Sequence, residues 1–445
     1  MGILSLFQEL LPFTFIKQAY RLDGRRQHNC VYNPLVVMWL LVVQRLHGGS
    51  PLEDAVMELL RGLPATFWPS PCKRIRDWRE KAKAPSSYCG AYHQARQALS
   101  LSVVQQSCDR IFEELVARTA GIGPASGTRA FLLDGSSMRM AYSPAMARHF
   151  PPGHNQHGEN HWPVMRVLVA HDLWTGLAMR PEWGPLHGPG AVSEQSLLDK
   201  AVGRLPAGST VIGDRNFGVF SVAYAGQQSS HPVLLRMTAL RARRLVRQDL
   251  RDGIDIPVVW EPSREERRRH PHLPADARVR GRLIVHRVQP DKGDTPFLLI
   301  LFTTLECAVS EILHLYRQRW NIETDLRTLK TQLRLDQLTC STPGMAAKDI
   351  EMSMAAYNLV RTMICLASAQ SGIPPRGYGF TKVRRIVEIF VPKLAAAKDP
   401  QEAEHIFEQM MYYVQQAKLP RRRRRRPSSP RTVWNKGAKH PNRPR

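Results

Sequence analysis

Between residues 128 and 237, short apolar runs alternate with a segment of helical period, and this constrains the fold more than any other feature of the chain. Ala130 to Leu133 is a brief apolar run that ends at Asp134. Val164 to Ala170 and Gly176 to Met179 read as two further strands, joined by a turn at Asp172-Leu173-Trp174-Thr175. Ser193 to Leu205 sets Leu197, Leu198, Ala201, Val202 and Leu205 at helical spacing. Thr210 to Gly213, ending at Asp214, and Pro232 to Met237 complete five strands. Three strands, a helix, a strand and further alternation is an α/β order, in which helices cover a largely buried sheet.

The flanking segments read differently. Residues 1–125 have a helical pattern. Asn33-Pro34 and Ser50-Pro51 each set a capping residue before a proline at a first helical position, and Ser50 and Glu53 have capping-box spacing. Only His47-Gly48-Gly49 separates these two helices, as in a helix-turn-helix or any other short helical hairpin. A basic stretch follows (Lys73, Arg74, Arg76, Arg79, Lys81, Lys83), read either as a solvated loop or as a DNA contact. The α/β part spans 126–239, and a β-rich insertion spans 240–304, with strand-like runs at Val279 to Val288 and Phe297 to Thr303. Residues 305–375 resume the α/β part with two long helices, from about Val309 to Leu335 and about Ala347 to Ala369. A helical region covers 376–417. The remainder, 418–445, holds 12 basic residues and no acidic one, with six consecutive arginines from Arg421 to Arg426. It has almost nothing apolar to bury and is expected to be a disordered tail.

Charge bounds what the chain acts on. Lys and Arg number 63 against 38 Asp and Glu, a net +25, and the pI is near 10.3. That excess favours a polyanionic partner, nucleic acid first among them. A membrane is not expected: the longest strongly apolar run, Pro34 to Val43, is far short of the roughly 20 residues that span a bilayer. The first residues lack the pattern of a secretory signal, and the seven cysteines are scattered without CxxC spacing, so a cytoplasmic location is expected.

Two carboxylates occupy matching places, Asp134 after Phe131-Leu132-Leu133 and Asp214 after Val211-Ile212-Gly213. A carboxylate at the end of a buried strand stands on rigid scaffold at the sheet edge, where α/β proteins put their sites. Two on neighbouring strands can share divalent cations; hard oxygen ligands suit Mg²⁺, and paired metals suit in-line displacement at phosphorus. Asp is also a common turn residue, and that reading stays open here. Farther on, helical phase puts Arg319, Glu323 and Lys330 at about 300°, 340° and 320° from Tyr316, within one stripe. Leu315, Ile322, Leu326 and Leu333 form the adjacent apolar stripe, and Asp325 falls near 180°, away from Glu323. A carboxylate flanked by Tyr, Arg and Lys suits a metal ligand facing a phosphate, while Arg319 and Glu323 would equally form a surface ion pair.

The spacing Tyr316-x2-Arg319-x3-Glu323-x6-Lys330, within YRQRWNIETDLRTLK, resembles the signature of the DDE transposases of bacterial insertion sequences, of the IS-four type. Gly213-Asp214-Arg215-x-Phe217 and Asp134-Gly135-Ser136 are similar to that group's other two motifs, in the same order, and the resemblance covers roughly residues 125 to 370. It implies an RNase H-like core, a mixed five-stranded sheet with helices, interrupted by a β-rich insertion; the helical residues 1–125 before it are expected to form an N-terminal DNA-binding domain. It implies that Asp134, Asp214 and Glu323 hold Mg²⁺ (or Mn²⁺), and that Tyr316, Arg319 and Lys330 grip DNA phosphates. It also implies cleavage and strand transfer on element ends and target DNA, by a homodimer in a synaptic complex. Relatives that cut through a hairpin stack a flipped base on a Trp of the insertion; Trp260 is the one Trp there, and a core position is the expected reading for it. A nuclease or resolvase without strand transfer and a non-catalytic DNA-binding protein remain as alternatives. The histidines His149, His154, His157 and His161 are read as a polar loop near DNA in preference to a zinc site.

Overall fold

A computed structural model of the protein describes residues 2–26, 29–123, 129–156, 158–289 and 295–420. Arg421 to Arg426 and the rest of the basic tail to residue 445 therefore lie outside the described residues, as does His157, while the first residues of the tail are ordered, with Lys418 bridging Tyr378. Seven α-helices precede the sheet: Ile3–Leu10, Phe13–Leu22, Pro34–Leu46, Leu52–Arg61, Lys73–Lys81, Gly90–Ala98 and Leu101–Arg118. Pro34–Leu46 starts as its sequence dictates, with the Asn33 side chain accepting from Val36 N at 3.1 Å. Every residue of this helix is buried, because it packs between its neighbours and the long Pro343–Ser371 helix.

Two local expectations change. Leu52–Arg61 begins one residue late, so Pro51 is its N-cap and Ser50 makes no capping bond. The Gln44 side chain instead ties down the Ser50 carbonyl at 2.8 Å, and Glu53 turns to the Cys89 thiol. The basic stretch from Lys73 to Lys81 is a helix, not a loop, held to the surface by Ile75.

The strands are β1 (Ala130–Met140), β2 (Pro152–Asn155), β3 (Gly158–Asp172), β4 (Glu182–Pro185), β5 (Thr210–Gly213), β6 (Val233–Arg236), β7 (Ile254–Trp260), β8 (Val279–Val288), β9 (Phe297–Thr303) and β10 (Gln337–Leu338). They form one mixed sheet in the order β2-β3-β1-β5-β6-β9-β8-β7, with β4 pairing β3 and β10 pairing β1. β1, β5 and β6 run parallel; β3 is antiparallel to β1 and to β4. The architecture is mixed α/β. The strands of residues 240–304 extend this sheet, since β9 pairs with β6 through Leu235 and Phe302. That segment also carries two helices, Ala239–Val246 and Arg264–Arg269.

The third strand was expected at Gly176 to Met179 but lies at Glu182–Pro185. Asp172 forms a tight turn instead: its Oδ1 accepts from Trp174 N, Thr175 N and Thr175 Oγ1. Residues 177–179 then only bridge back to β3 at His171 and Ala178, with Asn358 bonding Ala178 on both its N–H and C=O. The histidine region is not a loop. His149 ends the helix Pro144–His149, His154 lies in β2 and His161 in β3, which pair as a hairpin. No group of three potential metal ligands forms among the described residues. Trp260 is a core residue, edge-on to Phe302 at 4.9 Å.

The expected helix from Val309 to Leu335 is interrupted. It comprises Val309–Arg317, a 3₁₀ turn at Gln318–Trp320, and Asn321–Gln332. The second long helix, Pro343–Ser371, starts earlier than expected because Thr342 caps Met345 N ahead of Pro343. Helices Phe380–Ala395 and Pro400–Gln416 follow. No helix among the described residues is long and apolar enough to cross a membrane.

Candidate active site

The sheet itself brings Asp134 and Asp214 together. β1 and β5 are parallel with Leu132 opposite Ile212, so in this register Asp134 and Asp214 stand at one level and on one side. Only Asp214 is at a strand end. Asp134 lies inside β1, which runs on to Met140 because its second half is paired antiparallel to β3. The Gly213 to Phe217 turn is fixed from below by the fully buried Phe217 and from above by Asn216 N, which donates to Asp214 Oδ1 at 2.7 Å. Gly135 N donates to Asp134 Oδ1 at 2.9 Å. The remaining oxygen of each, Oδ2, has no hydrogen-bond partner among the described residues. Burial pushes the Asp134 carboxyl up to about 6, and the nearby Asp214 and Glu194 charges add to the rise.

Glu323 arrives on a separate element. The 3₁₀ turn before it advances about 120° per residue where an α-helix advances 100°, which shifts the phase between Tyr316 and Glu323 by roughly 60°. The stripe read from the sequence is bent at this turn, with Arg319 still meeting both Tyr316 and Glu323. Tyr316 and Arg319 are 6% and 8% exposed, whereas the Glu323 side chain is 41% exposed. Arg319 joins the two parts: its guanidinium lies 3.6 Å from Glu323 Oε1, and its charge also acts on Asp134 and Tyr316. Burial pushes the Tyr316 hydroxyl up to about 12, and that hydroxyl makes no well-formed hydrogen bond. Lys330 is half-exposed, with no ion pair among the described residues. Among the described residues no group of three potential metal ligands forms, and Glu323 is paired to Arg319.

Asp325 lies off the Glu323 face, as its helical phase requires, but it is not a surface residue. It is fully buried, with both oxygens 2.7 Å from Arg376 Nη1, Oδ1 2.5 Å from Arg361 Nη2 and 3.2 Å from the Tyr357 hydroxyl. The two arginines hold its carboxyl below the usual range against the opposing effect of burial.

Sequence reasoning missed several neighbours. Glu194, in the first turn of the helix Glu194–Val202, reaches across Gly135 and bonds Arg166 and Asn216. Its only local signal was the glycine directly after Asp134, which admits a close approach. A cleft of about 640 Å³ beside Arg319 is lined by Arg236, Phe297, His314, Tyr316 and Trp320, with Trp320 62% exposed and the Arg319 guanidinium 4.9 Å over its ring. A second cleft, of about 620 Å³, flanks the Asp214 turn and includes Gln195, Arg241, Arg244 and Arg269. The cleft beside Arg319 carries Arg236, Arg287, Arg317 and Arg319 and no acidic residue, which suits a phosphodiester backbone, whereas the second cleft mixes its arginines with Glu261, Glu265 and Glu266.

Comparison with known proteins agrees with this chemistry. A family model described as the transposase DDE domain matches residues 125–359. The chain is 24% identical over 426 residues to the transposase InsG for insertion sequence element IS4 of Escherichia coli (strain K12), covering 93% of this chain and 88% of that protein. Among solved structures it overlaps a piggyBac transposase synaptic complex with hairpin DNA, with a TM-score of 0.43 and 10% identity, over 97% of this chain and 88% of that one. The family match takes in more than half of the 445 residues, both strand-borne aspartates and the whole of Tyr316 to Lys330. The chain belongs to the DDE-domain transposases, enzymes that cut and join DNA with divalent metal ions.

Proposed function

We propose that Asp134, Asp214 and Glu323 are the catalytic carboxylates of an insertion-sequence transposase and hold Mg²⁺ or Mn²⁺ during cleavage and strand transfer. The observation that carries this is the register of β1 and β5, which sets two carboxylates side by side, each with one oxygen fixed by a backbone N–H and the other free. The donor set fits a hard divalent cation: oxygen ligands, partly buried, with Asp134 raised first by burial and then by the like charges beside it. Bound there, metal supplies Lewis-acid stabilisation of the attacking and leaving oxygens.

The chain's own residues orient the substrate. Arg319 offers a planar fork for a phosphate and has Glu323 and Trp320 to hold it in place. Lys330 provides a point charge on the helix Asn321–Gln332 that carries Glu323. Tyr316, buried and keeping its proton, contributes a hydroxyl donor. Glu323 would join the aspartates once a phosphate draws Arg319 away from the present ion pair, or a cation draws Glu323 out of it.

The inner strand order β4-β3-β1-β5-β6, with β3 antiparallel to its neighbours, supports an RNase H-like core. The helices of residues 1–125 serve in this reading as the DNA-binding domain, 240–304 as the insertion and 376–417 as a helical C-terminal region. Element ends and target DNA are the substrates, the synaptic complex is a homodimer, and the site of action is the cytoplasm.

The test is cleavage of a labelled element end in Mg²⁺ by Asp134→Ala, Asp214→Ala and Glu323→Ala. Each is expected to lose cleavage by at least about 100-fold while still binding the end. More than a few per cent of residual cutting in any folded variant removes that residue from the site.

A further inference from the structure

We infer that Glu194 is a positioning residue of the cleavage site: its carboxylate braces β1, β3 and the turn after β5, and so sets the spacing of Asp134 and Asp214. The inference rests on the assignment of those two aspartates as metal ligands.

The brace can be followed atom by atom. Glu194 Oε1 lies 3.3 Å from Arg166 Nη1, on β3. Its other oxygen, Oε2, accepts from Asn216 Nδ2 at 2.5 Å. Asn216 N in turn donates to Asp214 Oδ1 at 2.7 Å. One carboxylate thus ties a middle strand to the residue that orients Asp214. The neighbouring Gln195 repeats the tie, its Nε2 donating to Asn216 O at 2.6 Å.

Asp134 enters the same unit through Gly135. A Cβ at Gly135 would fall 2.1 Å from Glu194 Cδ and 2.2 Å from Oε1, so the carboxylate lies against bare backbone. That backbone carries the N–H that fixes Asp134 Oδ1. The contact explains why glycine follows Asp134, since any side chain there would push Glu194 off its partners. The backbone at Glu194 is fixed, because its helix is started by a reciprocal capping box between Ser193 and Ser196. Its side chain is 18% exposed, and the contact with Arg166 is partly buried, whereas Asn216 stands at the exposed end of the brace.

Both oxygens already serve protein donors on opposite sides. This favours a brace over a direct ligand, which would have to release Asn216 or Arg166 to coordinate. Without the brace, Asp134 and Asp214 would still be present, but their spacing would relax under mutual repulsion, and cation affinity depends on ligands held in place.

The experiment measures Mn²⁺ binding to the full chain without DNA, by water-proton relaxation, alongside end cleavage as a function of Mg²⁺ concentration. Glu194→Ala and Asn216→Ala are each expected to weaken Mn²⁺ binding about tenfold or more, matching the effect of losing an outer partner at a metal site. The double variant should be no weaker than the weaker single one, because the two act as one unit. Cleavage by each should return to within a few-fold of wild type at saturating Mg²⁺. Glu194→Gln, which keeps an acceptor for Asn216, should recover part of the affinity and serves if the alanine variant does not fold. Asp134→Asn is the control. If it keeps wild-type Mn²⁺ affinity, the ligand assignment beneath the inference fails. If it loses affinity while Glu194→Ala and Glu194→Gln do not, the brace is refuted. Loss in Glu194→Ala without loss in Asn216→Ala also refutes it, because Glu194 would then act as a ligand.

Discussion

Replacing Asp134 by Asn should stabilise the metal-free protein at neutral pH. The carboxyl sits partly buried beside Asp214 and Glu194, and its folded-state value of about 6 stands well above the 3.8 of an unperturbed Asp. A raised carboxyl value means that ionisation opposes folding. The stability it contributes is complete below pH 3.8 and is lost as pH rises through about 6. The full displacement corresponds to about 3 kcal/mol, and partial solvent access reduces this to roughly 1–2 kcal/mol. Asn keeps the acceptor for Gly135 N but carries no charge, so Asp134→Asn should melt about 1–2 °C higher at pH 7.5 in chelator. The advantage should shrink as pH falls from 6 toward 4. Millimolar Mn²⁺ should reverse the ranking, raising wild type and leaving the variant nearly unmoved. Thermal melts at pH 7.5 and 4.5, with chelator and with Mn²⁺, separate these contributions. A variant that melts no higher than wild type at pH 7.5 in chelator would show that Asp134 is not held against its own charge.

Two further outcomes follow from charges elsewhere in the chain. Asp325→Asn should cost about 3–5 kcal/mol of stability, read as a fall in the urea midpoint, because it leaves the buried Arg361 and the partly buried Arg376 uncompensated; an unchanged midpoint would remove the cluster from the core. Deletion of residues 418–445, with its 12 basic residues, should flatten the plot of log affinity for non-specific DNA against log salt; an unaltered slope would mean the tail neutralises no phosphates.

How far the sequence could be read depended on whether a signal was local. The strands β5 and β6 were legible because parallel strands buried on both faces become continuous apolar runs. The second half of β1 was not, since Gly135-Ser136-Ser137 reads as turn chemistry and becomes strand only through its partner β3. β7 was hidden by Pro257, which argues against a central strand; it is tolerated because β7 is the last strand of the sheet. The capping chemistry of Asn33 was local and formed, whereas that of Ser50 lost to a side chain, Gln44, from the preceding helix. Both aspartates could be found from the runs before them. Glu194 could not, because what makes it part of the site is a contact with Gly135 on another element.

The 3₁₀ turn at Gln318–Trp320 has no glycine or proline to announce it, and its consequence reaches beyond helical phase. The Asp pair is set by sheet register and moves only if strands slide. Glu323 belongs to a short helix whose entry is this turn and whose far side is pinned by Asp325 to Arg361 and Arg376. A buried carboxylate held by two arginines is a poor source of net stability but a specific one, since no other rotation of the helix satisfies all three charges. The helix is thereby fixed in azimuth two residues from Glu323, while the Glu323 side chain itself stays 41% exposed and, among the described residues, ion-pairs with Arg319 alone. Rigidity and freedom are thus divided within a single turn. On the proposed assignment this division is what a cleavage site requires: the backbone of the third ligand is fixed in advance, and its carboxylate is released toward Asp134 and Asp214 when the DNA phosphate claims Arg319.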